Sequence, residues 1–156
     1  LIVVVAYAWA APAIGRWIDK QRMALQLGIA VVTPLLLIFL HPADTEGLYP
    51  AEMAITPMSA MLGLGVGFVM ERAYVGFTVY GPWWRRVLRF LLGMVVTAVL
   101  YAGPSLVIPD GLAHGLDSVL RLVRYALLGW AVTFFCPWLF VRLRLASRQG
   151  DLPLKA

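Results

Sequence analysis

The chain has 156 residues, 62% of them hydrophobic and 13% charged, with a formal net charge of +5. Soluble domains carry about 25% charged residues, so a single water-soluble core is excluded, as the mean hydropathy of +0.83 also implies. The positive balance does not mark a nucleic-acid partner: eleven of the 13 basic residues sit in three short segments, and no basic and aromatic platform stands apart from the apolar stretches.

Five apolar stretches follow one another at residues 1–14, 23–40, 51–70, 87–109 and 119–140. Each approaches the roughly 20 residues that cross a bilayer. The first opens in mid-hydrophobic run at Leu1-Ile2-Val3-Val4-Val5, without a Met or a basic leader segment. It is not expected to be a signal peptide. The expectation is a chain cut from something longer, whose first span has lost its outer end. That span runs through Pro12 into Arg16-Trp17-Ile18-Asp19-Lys20-Gln21-Arg22, a Trp and basic mixture favoured at the inner interface.

Span two ends at His41-Pro42, where the proline stops a helix. The loop beyond carries Asp44, Glu46, Gly47 and Pro50, and Glu52 stands at the mouth of span three. Within span three, Ser59, Gly63 and Gly67 recur every four residues and share one helix face. Helices in lipid associate through small residues, so this face is expected to pack against a neighbour. Gly63-Leu64-Gly65-Val66-Gly67 lacks the strand and the Lys of a phosphate-binding loop.

The segment 71–86 bears Glu71, Arg72, Arg85 and Arg86, with Arg89 just beyond. Trp83, Trp84, Arg85 and Arg86 make an interfacial anchor, rings at headgroup depth and guanidiniums on lipid phosphate. Span four contains Gly103-Pro104, where a kink or break is expected. Pro34, Pro57 and Pro137, inside other spans, are read as bends. Asp110 and Asp117 follow span four without a base, and Arg142, Arg144, Arg148 and Lys155 follow span five against Asp151.

Basic turns thus alternate with acidic ones. The positive-inside bias keeps the former in the cytoplasm and sends the latter across. The reading is an all-α polytopic integral membrane protein of about five transmembrane helices, the first truncated, in the cytoplasmic (inner) membrane with its C-terminus cytoplasmic. Residues 1–22 form the end of a descending helix plus an interfacial segment, residues 23–146 a four-helix transmembrane region, and residues 147–156 a cytoplasmic tail.

Chemistry-bearing residues are sparse. The spans hold no midplane acid or His, which argues against an ion-coupled transporter complete within them. Arg121 and Arg124, near the outer end of span five, break the charge pattern. Arg121 can pair with Asp117 one turn away, and Arg124 can snorkel outward. Their functional reading is a cationic contact for lipid phosphate. The outer pairs His41 with Asp44 and His114 with Asp117 supply two ligands each, too few for a closed metal site. They read as loop polarity, so no metal, cofactor or catalytic residue is assigned. Cys136 is the lone cysteine and reads as a small core residue.

A resemblance appears at Met70-Glu71-Arg72-Ala73-Tyr74-Val75-Gly76-Phe77 and at Gly81-Pro82-Trp83-Trp84-Arg85-Arg86-Val87-Leu88-Arg89. It continues at Leu122-Val123-Arg124-Tyr125-Ala126-Leu127-Leu128-Gly129-Trp130 and from Ala131 to Pro137-Trp138-Leu139-Phe140. These segments resemble the C-terminal multi-span extension of some bacterial type 2 phosphatidic acid phosphatases, over most of residues 20–146. The resemblance implies a parent that hydrolyses phosphomonoesters or pyrophosphates on lipids without a metal. Such enzymes use a Lys and Arg-Pro element, a Pro-Ser-Gly-His element, and a Ser-Arg element followed by His-x-x-x-Asp. None of these occurs here, and neither His41 nor His114 has an Asp at the family spacing.

The leading expectation is the non-catalytic C-terminal membrane portion of such a phosphatase, supporting catalytic helices and lipid access. Its partners would be membrane lipids and the N-terminal catalytic region of the same parent chain, with a homo-oligomer left open. The alternative is a self-standing polytopic scaffold using the Ser59-Gly63-Gly67 face for contact; a half-transporter working as a dimer ranks third.

Overall fold

The structure, a computed structural model, describes residues 2–41, 51–107 and 114–148. The elements are α1 (Ile2–Asp19), α2 (Met23–Phe39), α3 (Ala51–Tyr74), α4 (Trp83–Val107), α5 (His114–Trp130), a π-helical turn (Ala131–Phe135) and α6 (Cys136–Arg142). The last three run on as one rod. Only an isolated bridge between Phe77 and Arg148 departs from helix and turn among the described residues. The fold is all-α, as the sequence predicts.

Ala54–Tyr74, Trp83–Gly103 and Ser118–Arg142 are long and apolar enough to span a bilayer, and Met23–Phe39 is a shorter apolar helix. Large apolar side chains along them, among them Val32, Phe68, Phe90, Val95 and Val99, are exposed. Protein covers too little of this surface for water to tolerate the rest. Lipid is the solvent that makes such a surface stable, and helices are the elements that satisfy their own backbone there. The molecule is an integral membrane protein.

At the centre, α3 crosses α5 and the π turn, with α2 on its other flank and α4 against the rod. The crossing is close because its residues are small. Gly63 faces the backbone of Ala126, and a Cβ there would overlap the Ala126 carbonyl oxygen. A Cβ on Gly67 would overlap Thr133 Oγ1, and one on Gly129 would lie 2.6 Å from Ala60 O and 2.7 Å from Leu64 N. Ser59 is fully buried on this helix and donates its hydroxyl hydrogen to Ile55 O. Such contact gains dispersion energy, the main attraction available between helices in lipid.

The rod widens where its one proline would clash. Pro137 has no N–H and its ring crowds the carbonyl four residues back. The chain responds with one π turn, in which Cys136 N donates to Ala131 O, five residues back. The turn gathers Trp130, Phe134, Phe135 and Trp138, with ring centroids 5.3 Å apart for Trp130–Phe134 and 5.8 Å for Phe135–Trp138. Trp130 Nε1 reaches Met70 Sδ at 3.4 Å.

Of the kink or break expected at Gly103-Pro104, the break does not occur, since α4 continues as helix to Val107. Nothing lies within 4 Å of a Cβ placed on Gly103, so this glycine serves no close approach. The segment after span three is also shorter than its composition suggests, because α3 runs on to Tyr74.

α1 stands off from this core. Tyr7 and Trp9 are 72% and 85% exposed, and no side chain from Val4 to Asp19 is buried. Its C-terminal end is tied by an Asp19–Arg72 ion pair and by Gln26 Nε2, which donates to Ile18 O at 2.9 Å. Both ion-pair side chains are about half exposed, and exposed pairs contribute about 0–1 kcal/mol. Asp19→Asn is therefore expected to lower stability by less than about 1 kcal/mol. A thermal unfolding shift in detergent of a degree or two checks this.

Candidate functional site

Polar chemistry collects at one end of the bundle, where α1, α3 and α6 finish and α2 and α4 begin. Arg16, Lys20 and Arg22 lie at the α1–α2 turn, joined to the α3 end through Asp19–Arg72. The segment after α3 meets the segment after α6. Thr78 N and Thr78 Oγ1 both donate to Ser147 O, at 3.1 and 2.8 Å, beside the antiparallel Phe77–Arg148 bridge. Glu71 Oε1 accepts from Phe77 N at 2.7 Å and fixes the start of that segment.

Arg89 holds the middle. It is only 6% exposed, and its NH2 and NH1 nitrogens donate to Val79 O at 3.0 Å and Thr78 O at 3.4 Å. Nε donates to Arg85 O at 3.2 Å, and the guanidinium lies 5.5 Å from the Phe77 ring centroid. A guanidinium presents several donors in a fixed fork, which suits two neighbouring carbonyls that have left the helix. The sequence reading counted Arg89 only among the basic residues of the turn. Its signal was position: one turn past Arg85, already flanked by Val87, Leu88 and Phe90.

The two helix ends solve the same steric problem differently. α3 finishes at Gly76 with φ 57°, the left-handed conformation that glycine takes without penalty. α6 finishes with Arg144 in the same conformation, also at φ 57°. Arg144 N donates to Val141 O at 3.0 Å and Leu145 N to Phe140 O at 2.9 Å, the two bonds of a Schellman cap.

Trp83, Trp84, Arg85 and Arg86 occupy the first turn of α4. Trp83 is exposed, and Arg85 stacks on the Trp84 ring at 5.1 Å. Arg85 Nε is enclosed and has no hydrogen-bond acceptor among the described residues. Arg142 similarly lies over Trp138 at 5.6 Å. Arg85, Arg142, Arg144 and Arg148 line one cavity of about 870 Å³, with Trp138 and Val141 on its apolar side.

Arg121 and Arg124 are remote from this cluster. Twenty-one residues separate Arg121 from Arg142, about 30 Å along a helix, which matches the hydrocarbon thickness. Both are part-buried, and Arg121 already engages another group of the chain. Asp117, the side chain of His114, and Asp44 lie outside what the structure describes, so neither His-Asp pair can be placed. His41 Nε2 is enclosed without a partner among the described residues. No group of three or more potential metal ligands occurs among the described residues.

On the Ser59-Gly63-Gly67 face, Gly63 and Gly67 lie against α5 and the π turn of the same chain, and Ser59 is fully buried. The counterpart of this face, Gly129, escaped the sequence reading, although Ala126, Gly129 and Thr133 repeat at helical spacing. A family model described as PAP2 superfamily phosphatase, transmembrane extension, matches residues 55–148, more than half of the chain. No curated protein and no solved structure matches the chain.

Proposed function

The chain belongs to the transmembrane-extension family of PAP2 superfamily phosphatases, and on that premise we propose that it is the non-catalytic C-terminal membrane portion of a lipid-phosphate phosphatase. It braces the catalytic helices and shapes the path by which a lipid phosphate reaches them. The observation that carries this reading is the extent of the family match. Residues 55–148 take in nearly all of α3, α4, the rod and the clamp between their ends, while the phosphatase motifs are absent from the chain. α1 supports it, because an apolar helix exposed along most of its length leaves room for helices of the catalytic region. Arg121 and Arg124, at the opposite membrane face from the clamp, are the proposed contacts for lipid phosphate on its way in.

The test is made on the full phosphatase with residues 23–156 deleted. Turnover of a long-chain lipid phosphate should fall about tenfold or more, equivalent to about 1.4 kcal/mol in the barrier. Turnover of a water-soluble phosphomonoester should change far less. Equal retention of both activities would overturn the role in lipid access. The packing of Gly63 and Gly67 against Ala126 and Thr133 of the same chain favours this reading over a scaffold that would use that face for a partner.

The proposed orientation puts the clamp in the cytoplasm of the inner membrane, with the C-terminus beside it. With Cys136→Ser as background, Thr45→Cys is expected to react with a membrane-impermeant maleimide in intact cells. Arg86→Cys should react only after the cells are opened. The reverse pattern inverts the topology.

A further inference from the structure

The cavity at the clamp is lined by cations that have no carboxylate partner among the described residues. Arg85 comes from the start of α4, Arg142 from the last turn of α6, and Arg144 and Arg148 from the segment beyond. No carboxylate lines the cavity among the described residues, and the next acid along the chain, Asp151, lies outside them. Four like charges line one opening, three of them on the exposed side chains Arg142, Arg144 and Arg148, and their mutual repulsion is moderated but not abolished by solvent. A bound anion removes that repulsion, and guanidiniums match phosphate oxygens with paired donors.

A further detail points the same way. Arg144 occupies a helix cap where glycine would be free of strain. Strain retained at a special backbone position points to a use for the side chain. Here that side chain faces the cavity.

The lining is also mixed. Trp138 and Val141, from the apolar α6, share it with the arginines, so both a phosphate and an adjoining apolar chain find partners there. We infer that Arg85, Arg142, Arg144 and Arg148 form a binding site for the phosphate of an anionic lipid headgroup, with the lipid's glycerol and first methylenes lying along Trp138 and Val141. The site holds a resident lipid at the membrane face opposite Arg121 and Arg124. This assignment rests on the membrane reading and is independent of any phosphatase activity.

The test titrates the purified full chain, in nonionic detergent, with dioctanoyl phosphatidylglycerol and separately with inorganic phosphate. Native mass spectrometry counts retained lipid, and the lipid-dependent rise in unfolding temperature gives a second readout. Arg144→Gly is the decisive variant, because it relieves the cap while deleting a cation. It should unfold at a higher temperature without lipid yet bind lipid several-fold more weakly. The pair R142Q/R144Q should lose about tenfold in affinity, one factor of ten per 1.4 kcal/mol, while R142K/R144K recovers part of it. The control R16Q/K20Q removes the same charge at the same membrane face outside the cavity, and should bind like the parent. Equal loss in control and cavity variants would reduce the effect to diffuse surface charge and overturn the site, as would undiminished binding by Arg144→Gly. Full displacement of the lipid by an equal concentration of inorganic phosphate would overturn the lipid assignment and leave free phosphate as the occupant.

Discussion

Gly63→Leu is expected to separate α3 from the rod and to be the most damaging substitution in the membrane-spanning region. Even the first atom of the new side chain would coincide with the Ala126 carbonyl. Backbone cannot swing aside as a flexible side chain can. The helices must part or shift register, and the neighbouring contacts Gly67–Thr133 and Gly129–Ala60 go with them. Overpacking a close interface costs about 1–3 kcal/mol, and more where backbone has to move. Gly63→Ala should already lose about 2 kcal/mol. Gly28→Ala is the matched control, because nothing lies within 4 Å of a Cβ at that position of α2. It should be neutral, or stabilising by up to about 1 kcal/mol through helix propensity. Unfolding temperatures in detergent separate the two outcomes. If Gly63→Ala and Gly28→Ala unfold alike, the close crossing does not exist in the folded protein.

The crossing was half legible in the sequence, and the reason is physical. In lipid, hydropathy carries almost no information about which face meets protein, since both faces are apolar; small residues at regular spacing are the remaining mark. Ser59, Gly63 and Gly67 carry that mark plainly. Gly129 carries it faintly, because Trp130 beside it reads as an interface residue by composition. Helix number and order were recoverable because span length is imposed by the bilayer. Proline was less informative. Pro137 yields a π turn while α4 passes through Pro104 as helix, a difference that residue type alone does not encode. The clamp was the least visible part. Its members come from residues 71–89 and 138–148, and no local pattern says that the segment after α3 lies against the segment after α6. Basic residues there satisfy the positive-inside bias whether they are solvated or buried, so the sequence could not distinguish Arg86, which is exposed, from Arg89, which is buried.

That distinction gives the second large effect. Arg89→Leu is expected to cost about 3 kcal/mol or more, whereas Arg86→Gln should stay within about 0.5 kcal/mol, as surface substitutions usually do. Arg89 serves Thr78 O and Val79 O together and stacks on Phe77. A leucine fills the volume but removes the guanidinium's bonds to both carbonyls, each about 1.5–3 kcal/mol as a bond to a charged group. The buried Thr78 carbonyl stays unmatched, while the exposed Val79 can turn to water. Arg89→Lys should recover only part of the loss, because an ammonium is a point charge without the guanidinium's planar fork. The readout is local as well as global: amide hydrogens of residues 75–81 should exchange faster in Arg89→Leu, and the Thr78 amide, bonded to Ser147 O, should lose its protection. Ser147 and Arg148 form part of the cavity wall. Loosening Arg89 should therefore weaken anionic-lipid retention without touching any of the four lining arginines. Unchanged exchange at Thr78 in Arg89→Leu would mean that the two segments hold together without this guanidinium, and the clamp would have to be rebuilt around Glu71 and the Phe77–Arg148 bridge alone.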